Sequence, residues 1–542
     1  MDKREITDWI SKQYLLIDDF PSMCQMLRDM LHSLGARYID QAENGAAAAS
    51  MLRKKKYDVV LCDYHLGGGK NGQQVLEEAK IRDLVGPACV WLMVSGVKNV
   101  ESVMGAAEYQ PDGYLLKPLT EAFLLTRLNR AWARKQVFQE IDRAYDAKDY
   151  LKAVELCHER LETDRLHALD LMRMKANLLM KSGEPEHARA VFEQVMVERE
   201  FVWAKTGIAK IHVQSGEYES ARQLLQEVIE ENVFYLDAYD QLAFAELQLG
   251  HFAEAEQVLA SAAKLSPNSV LRQKNLGTIA LKMGHFDVAE KAFRKSVEIG
   301  EHSVLKTPDA YFGLARVWGG KNQAKEALQL LATVRKEFDT EEIRLRAKVT
   351  EGLIYHESGD WVKARKSGDE LAELLDNTTE RPDADTCLDM ARLLFAVGVK
   401  DSPVELLREV VKNNHDNVPL ALEVQQIFDK ARMSEQGADI VNAARREASE
   451  LMDRGVILWK AGKLAEAVQW MRHARSVLPS NVRVLFNYAH LLIAYMEQNG
   501  ADATMATEAR KTLLHADKLA PNQRRFAQLQ KQLGALLPNG DD

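Results

Sequence analysis

Between residues 149 and 289 one short pattern returns at nearly constant spacing: a turn, an aromatic or apolar residue, and then an alanine. DYLKA ends at Ala153, GEPEHA at Ala188, GEYESA at Ala221, GHFAEA at Ala255 and GHFDVA at Ala289, so successive alanines lie 35, 33, 34 and 34 residues apart. An irregular helical bundle has no reason to keep such a register. A fixed period arises when one supersecondary unit is copied and stacked, each copy burying its apolar face on the next. Much of the chain must therefore be a stacked helical array.

The repeat that begins at Leu236 carries Tyr239, Leu242, Ala243, Gly250, Ala255, Leu259, Ala262 and Pro267. Small residues such as Ala243 and Ala255 let paired helices cross closely, and Leu242 and Leu259 fill the space between neighbours. In period and in these positions the segment resembles the tetratricopeptide repeat. The register then loosens: Ala327 and Ala364 follow at intervals of 38 and 37. A further unit is legible at Gly462, Leu464, Ala467, Met471, Ala474 and Pro479, and a degenerate one at Asn487, Tyr488, Ala509, Leu513, Ala516 and Pro521. The expected organisation is repeats over 135–375, an irregular helical joint over 376–447, repeats again over 448–537 and a disordered tail over 538–542, in all about ten helical hairpins. The resemblance implies that the first helix of each repeat lines a concave face that takes a peptide or a partner's helix. Lys175, Asn177, Lys274, Asn275 and Asn487 are the candidate contacts there. Trp203, Trp318, Trp361, Trp459 and Trp470 sit at helical spacing and are expected to pack within and between repeats rather than to stack on bases.

The first 134 residues follow a different rule. Short apolar runs recur, YLLI at 14–17, VVLC at 59–62, CVWLMV at 89–94 and GYLL at 113–116, with amphipathic stretches between them. This alternation predicts a doubly wound α/β domain on a parallel sheet, whose site gathers at the carboxyl ends of the strands. Asp18 and Asp19 follow the first strand, Asp63 the third, Ser95 the fourth, and Lys117 with Pro118 the fifth. Singly, each has an ordinary explanation, since Asp18 and Asp19 could cap the helix opening at Pro21 and Lys117 could be solvated. Together they are specific. Three carboxylates on one rim repel unless a hard cation sits among them, and an oxygen-only site describes Mg2+ better than zinc. A carboxylate so placed can attack an activated phosphoryl group, with a lysine ammonium neutralising the equatorial oxygens.

Residues 12–134, and the stretch LLIDDFPSMCQMLRDMLHSLGARYIDQAENG above all, resemble the receiver domain of two-component response regulators. The resemblance implies a five-stranded sheet, Asp63 as phosphoacceptor, Asp19 and Asp63 as direct Mg2+ ligands, Asp18 acting mainly through water, and the backbone carbonyl of His65 as a further ligand. It also implies that Ser95 reaches the phosphoryl group, that Lys117 is the paired cation, that Tyr114 is the aromatic switch, and that Lys117–Pro118 is cis. One segment departs from the family pattern. After Asp63 the chain reads YHLGGGKNG, with Gly67 where many receivers have proline and Asn71 where they have glycine, so a looser loop is expected. The His65 side chain is an alternative general base, disfavoured because this position usually points outward.

The remaining composition restricts the function. A net charge of -9 at pH 7 argues against a polyanion partner. Five cysteines without a CxxC pair suggest neither a zinc site nor disulfides, and no run of 18 apolar residues is present to cross a bilayer. The expectation is a cytoplasmic, non-enzymatic response regulator: a histidine kinase phosphorylates Asp63 and the change alters protein–protein interactions of the array or formation of a homodimer. The alternatives are a scaffold with the receiver as a docking module, a nucleic-acid-binding or transcription-associated regulator, and a phosphatase of other receivers.

Overall fold

The computed structural model describes residues 9–96, 100–377, 382–520 and 524–536. They form two compact units, one of residues 1–246 and 252–310 and the other of residues 247–251 and 311–542.

The first unit opens with five parallel strands, β1 (Gln13–Ile17), β2 (Tyr38–Ala42), β3 (Val59–Asp63), β4 (Val90–Ser95) and β5 (Gly113–Leu116), in the order β2-β1-β3-β4-β5. Every residue of β3 and β4 is buried, which is why these strands read as unbroken apolar runs. Helices α1 (Pro21–Ser33), α2 (Gly45–Lys54), α3 (Gly72–Ile81), α4 (Val100–Ala107) and α5 (Glu121–Lys135) cover both faces. Leu27 and Leu31 of α1 pack with Leu124, Leu128 and Trp132 of α5 on one side. Ala48 and Leu52 of α2, Val75 and Leu76 of α3, and Ala106 of α4 pack on the other. Local chemistry marks the helix starts: Pro21 opens α1, Asn44 caps α2 through Ala47 N, and Asn71 with Gln74 forms a capping box on α3. The Lys117–Pro118 peptide is cis, as the receiver resemblance implies.

After α5 a short 3-10 turn, Gln136–Phe138, leads without glycine or proline into α6 (Gln139–Asp146). There follow α7 (Tyr150–Thr163), α8 (Ala168–Ser182), α9 (Pro185–Glu198), α10 (Val202–Ser215), α11 (Tyr218–Glu231), α12 (Leu236–Gln248), α13 (Phe252–Leu265), α14 (Val270–Lys282) and α15 (Phe286–Gly300). The five register alanines, Ala153, Ala188, Ala221, Ala255 and Ala289, all have zero solvent exposure. That explains the repeat: each sits where two helices approach too closely for a larger side chain.

The second unit is helical throughout its described residues. The stretch expected to be an irregular joint contains helices Ala384–Ala396, Asp401–Asn413 and Val418–Lys430, and much of a 27-residue helix, Ser434–Lys460. Leu388, Leu394, Leu407 and Phe428 form its apolar centre. Trp203 packs edge-on against Phe192 in the first unit, as expected of an inter-helix residue. Trp361 departs from that expectation: it is 61% exposed and meets only the edge of His356 among ring contacts described. The tail over 538–542 and Pro521 lie outside the described residues. Among the described residues no helix is long and apolar enough to cross a membrane.

One buried group in the second unit ties its stability to pH. His415 is 4% exposed, its Nδ1 lies 3.1 Å from Asn481 Nδ2, and its carbonyl accepts from Arg445 Nε at 2.8 Å. Burial holds its pKa below 6.5, with Arg483 and Arg445 adding to the effect against Asp416. The folded state thus favours the neutral ring. The associated stability is complete above the unfolded value, 6.5, and is lost as pH falls below it towards the folded value. Lowering the pH from about 7.5 to about 5.5 should reduce the unit's denaturation midpoint, and His415→Gln should flatten the dependence of unfolding free energy on pH by up to about 1.4 kcal/mol per pH unit. Equal slopes for the two proteins would show that His415 does not titrate on unfolding.

Candidate functional site

The parallel sheet sends the carboxyl ends of β1, β3, β4 and β5 to one rim. Asp18 follows β1 directly, Asp63 ends β3, Ser95 ends β4, and Lys117 follows β5. Lys117 Nζ donates to Asp18 Oδ2 at 2.8 Å and to Asp63 Oδ2 at 2.7 Å. Asp18, Asp63 and Ser95 are 1%, 5% and 0% exposed, so the ammonium bridges two carboxylates largely withdrawn from water. Such a bridge lowers the repulsion that would otherwise protonate one of them.

The surrounding backbone fixes each group. Asp18 Oδ1 accepts from Phe20 N at 2.9 Å, which holds the turn into α1. Asp63 Oδ1 accepts from His65 N at 3.3 Å, and Lys117 N donates to Ser95 O at 2.8 Å. Burial pushes the Asp63 pKa up against the opposing pull of Lys117. For Lys117 burial alone would lower the pKa, but the hydrogen bonds it donates to Asp18 and Asp63 outweigh it and the net direction is upward. The Tyr114 hydroxyl is buried, and its ring packs against the core beneath α3 and α4; burial raises its pKa.

Asp18, Asp19 and Asp63 each offer a carboxylate oxygen within 4.8 Å of the others. Asp19 Oδ1 is buried and has no hydrogen-bond partner. A buried carboxylate oxygen without a donor is costly, and a hard cation shared with the neighbouring acids would satisfy it. The donor set, all oxygen, fits Mg2+. The loop over 64–72 is tied down more firmly than its glycines suggest. Gly72 N donates to Tyr64 O at 2.9 Å and closes the base, while Gly67, at φ +67°, lets the chain pass close to Asp19. A Cβ at Gly67 would lie 3.2 Å from Asp19 Oδ2.

Comparisons with known proteins identify two kinds of domain along the chain. Residues 14–129 match the response regulator receiver domain. Residues 179–243, 236–269 and 275–300 match tetratricopeptide repeats. The chain therefore carries an N-terminal receiver domain followed by a tetratricopeptide array, the organisation of a two-component signalling protein equipped for protein interaction. Chemotaxis protein CheY-3 of Vibrio cholerae serotype O1 is 29% identical over 120 residues, which is 22% of this chain and 91% of that protein. Chemotaxis protein CheY of Pseudomonas aeruginosa is 26% identical over 120 residues, 22% of this chain and 95% of that protein. The crystal structure of Vibrio cholerae CheY4 at low pH aligns with 22% identity over 22% of this chain and 98% of its own, with a TM-score of 0.20.

The array residues singled out from sequence are more scattered. Lys175 is half-buried and Asn177 exposed on α8, Lys274 is half-buried and Asn275 exposed on α14, and Asn487 accepts from Arg525 Nη2 at 2.7 Å. Next to Lys274, however, lies a cluster the sequence did not reveal. Arg272 has a side chain with 0% exposure, and its guanidinium meets both oxygens of Glu108 at 3.0 and 2.8 Å and both oxygens of Asp240 at 2.9 and 2.8 Å. Glu108 belongs to the receiver domain, in the turn after α4.

Proposed function

We propose that the receiver domain accepts a phosphoryl group from a histidine kinase on Asp63 and thereby regulates what the tetratricopeptide array binds. The observation that carries this reading is the Lys117 ammonium bridging Asp18 and Asp63 beside the unpartnered Asp19 oxygen. In the transfer an Asp63 carboxylate oxygen forms the new bond to phosphorus while the bond from phosphorus to the kinase imidazole breaks, its electron pair returning to the ring nitrogen. Lys117 stands where it can neutralise a phosphoryl oxygen, and the Ser95 hydroxyl lies at the end of the adjoining strand to receive another. Asp19, Asp63 and the His65 carbonyl would hold Mg2+, with Asp18 acting through water. When bound, the ion supplies charge neutralisation on the transferring group. The chain then acts as a regulator rather than as a catalyst of an outside reaction.

The switch is tested by hydrodynamics and partner binding. With Mg2+ and a small acyl phosphate, the unsubstituted chain should change its oligomeric state or its affinity for a captured partner, and Asp63→Asn should not respond. An identical response from both proteins would contradict phosphorylation at Asp63 as the input.

A further inference from the structure

Helix α3 is buried on faces that a free-standing α/β domain would leave to water. Gln73 and Glu77 are 3% and 1% exposed. Gln73 and Glu77, four residues apart, share one face of the helix. Burying amides and carboxylates is unfavourable unless they find partners; Tyr64 and Tyr109 of the receiver supply some on this face, and the array supplies the others. Gln73 Nε2 donates to Asn268 O at 3.2 Å, Gln74 Nε2 donates to Ile299 O at 2.7 Å, and the Ser303 hydroxyl donates to Glu77. At the end of α4, Glu108 takes the Arg272 guanidinium and the Ser266 hydroxyl. Met104 of α4 packs on Leu236, Tyr239 and Ala262. The receiver is thus seated on α12–α15 along α3 and α4, beyond the covalent continuation through α5.

One residue of this seat also reaches the phosphoacceptor segment. The Tyr64 hydroxyl, on the residue next to Asp63, donates to Gln73 Oε1 at 3.0 Å, and Tyr64 N donates to Val94 O, beside Ser95, at 3.0 Å. The backbone of α4 presses on the same amide, since a Cβ at Gly105 would lie 2.4 Å from Gln73 Oε1. Gln73 thus touches both the segment that carries Asp63 and the backbone of α4.

We propose that Gln73 is a coupling residue: its amide joins the phosphoacceptor segment, through Tyr64, to the array, through Asn268, so that seating the receiver on the array holds the unphosphorylated arrangement of the site. The inference rests on the reading of Asp63 as phosphoacceptor. The contacts are made while Lys117 is paired with both Asp18 and Asp63. Coupling of this kind is reciprocal, so loosening the seat must favour the phosphorylated form by the factor that phosphorylation loosens the seat.

The test uses the full chain, with beryllium fluoride and Mg2+ as the phosphoryl mimic and calorimetry as the readout. Gln73→Met removes the amide from the middle of the relay. Glu108→Gln weakens the seat at a place that has no hydrogen bond to the acceptor segment, so it separates coupling from a local effect at Tyr64. Each is expected to tighten mimic binding by about threefold or more, and the mimic is expected to speed amide exchange over 268–273 in the unsubstituted chain. Unchanged or weaker binding in both variants would overturn the coupling role. Tightening in Gln73→Met alone would overturn it as well, because the effect would then be local. If the unsubstituted chain bound no beryllium fluoride, the phosphoacceptor reading would fail and this inference with it.

Discussion

Replacing Gly72 by alanine should lower amide-exchange protection in β3 and its neighbours β1 and β4 by about two orders of magnitude, a loss of about 3 kcal/mol. The reason is a backbone contact with no slack. A Cβ at position 72 would stand 1.9 Å from the Asp63 carbonyl oxygen, 2.9 Å from its carbon and 3.0 Å from Cys62 Sγ. A flexible side chain could turn aside, but the Asp63 carbonyl belongs to the central strand of the sheet, hydrogen-bonded between β1 and β4. Either α3 lifts away, breaking the bond from Gly72 N to Tyr64 O, or the end of β3 shifts and carries the acceptor carboxylate with it. Both routes damage the site as well as the fold, so phosphoryl uptake should fall along with protection. Gly68→Ala is the control, because nothing lies within 4 Å of a Cβ there. Equal protection in the two variants would show that the loop base can relax.

The same contact explains part of what was legible beforehand. Gly72 is one place later than the glycine common in receivers, and from sequence that displacement suggested a looser loop over the site. The structure absorbs it with Gly67 and Gly69 at positive φ and with the Asn71 capping box, so that the loop base stays closed. The acids and Lys117 could be read from sequence because a parallel sheet delivers strand ends to one rim whatever the loops do. The array could be read because close helix crossings demand small residues at a fixed interval, and all five register alanines are fully buried. Strand β2 shows no apolar run of its own for the opposite reason: an edge strand whose residues run from exposed to half-buried, with only Ala42 fully covered, leaves none.

The seating of the receiver on the array was invisible for a different physical reason. Glu108 and Arg272 are 164 residues apart, and Gln73 and Asn268 are 195 apart. Periodicity reports the face a helix turns to its nearest layer, and QQVLEEAK over 73 to 80 reads as a helix with a solvated polar face. Only the fold shows that Gln73 and Glu77 on that face meet helix ends and hydroxyls of the array. The same holds for Arg272, which in sequence is one cation among neighbours such as Lys274 and in the structure is wholly withdrawn from water.

The account depends on Asp63 being a covalent phosphoryl carrier, and mass spectrometry of the full chain tests that most directly. Incubation with a small acyl phosphate and Mg2+ is expected to add a single phosphoryl group to the peptide that contains Asp63 and to no other. The adduct should be labile to hydroxylamine, as an acyl phosphate is, should fail to form when Mg2+ is chelated, and should be absent from Asp63→Asn. No incorporation under these conditions, or undiminished incorporation into Asp63→Asn, would contradict it.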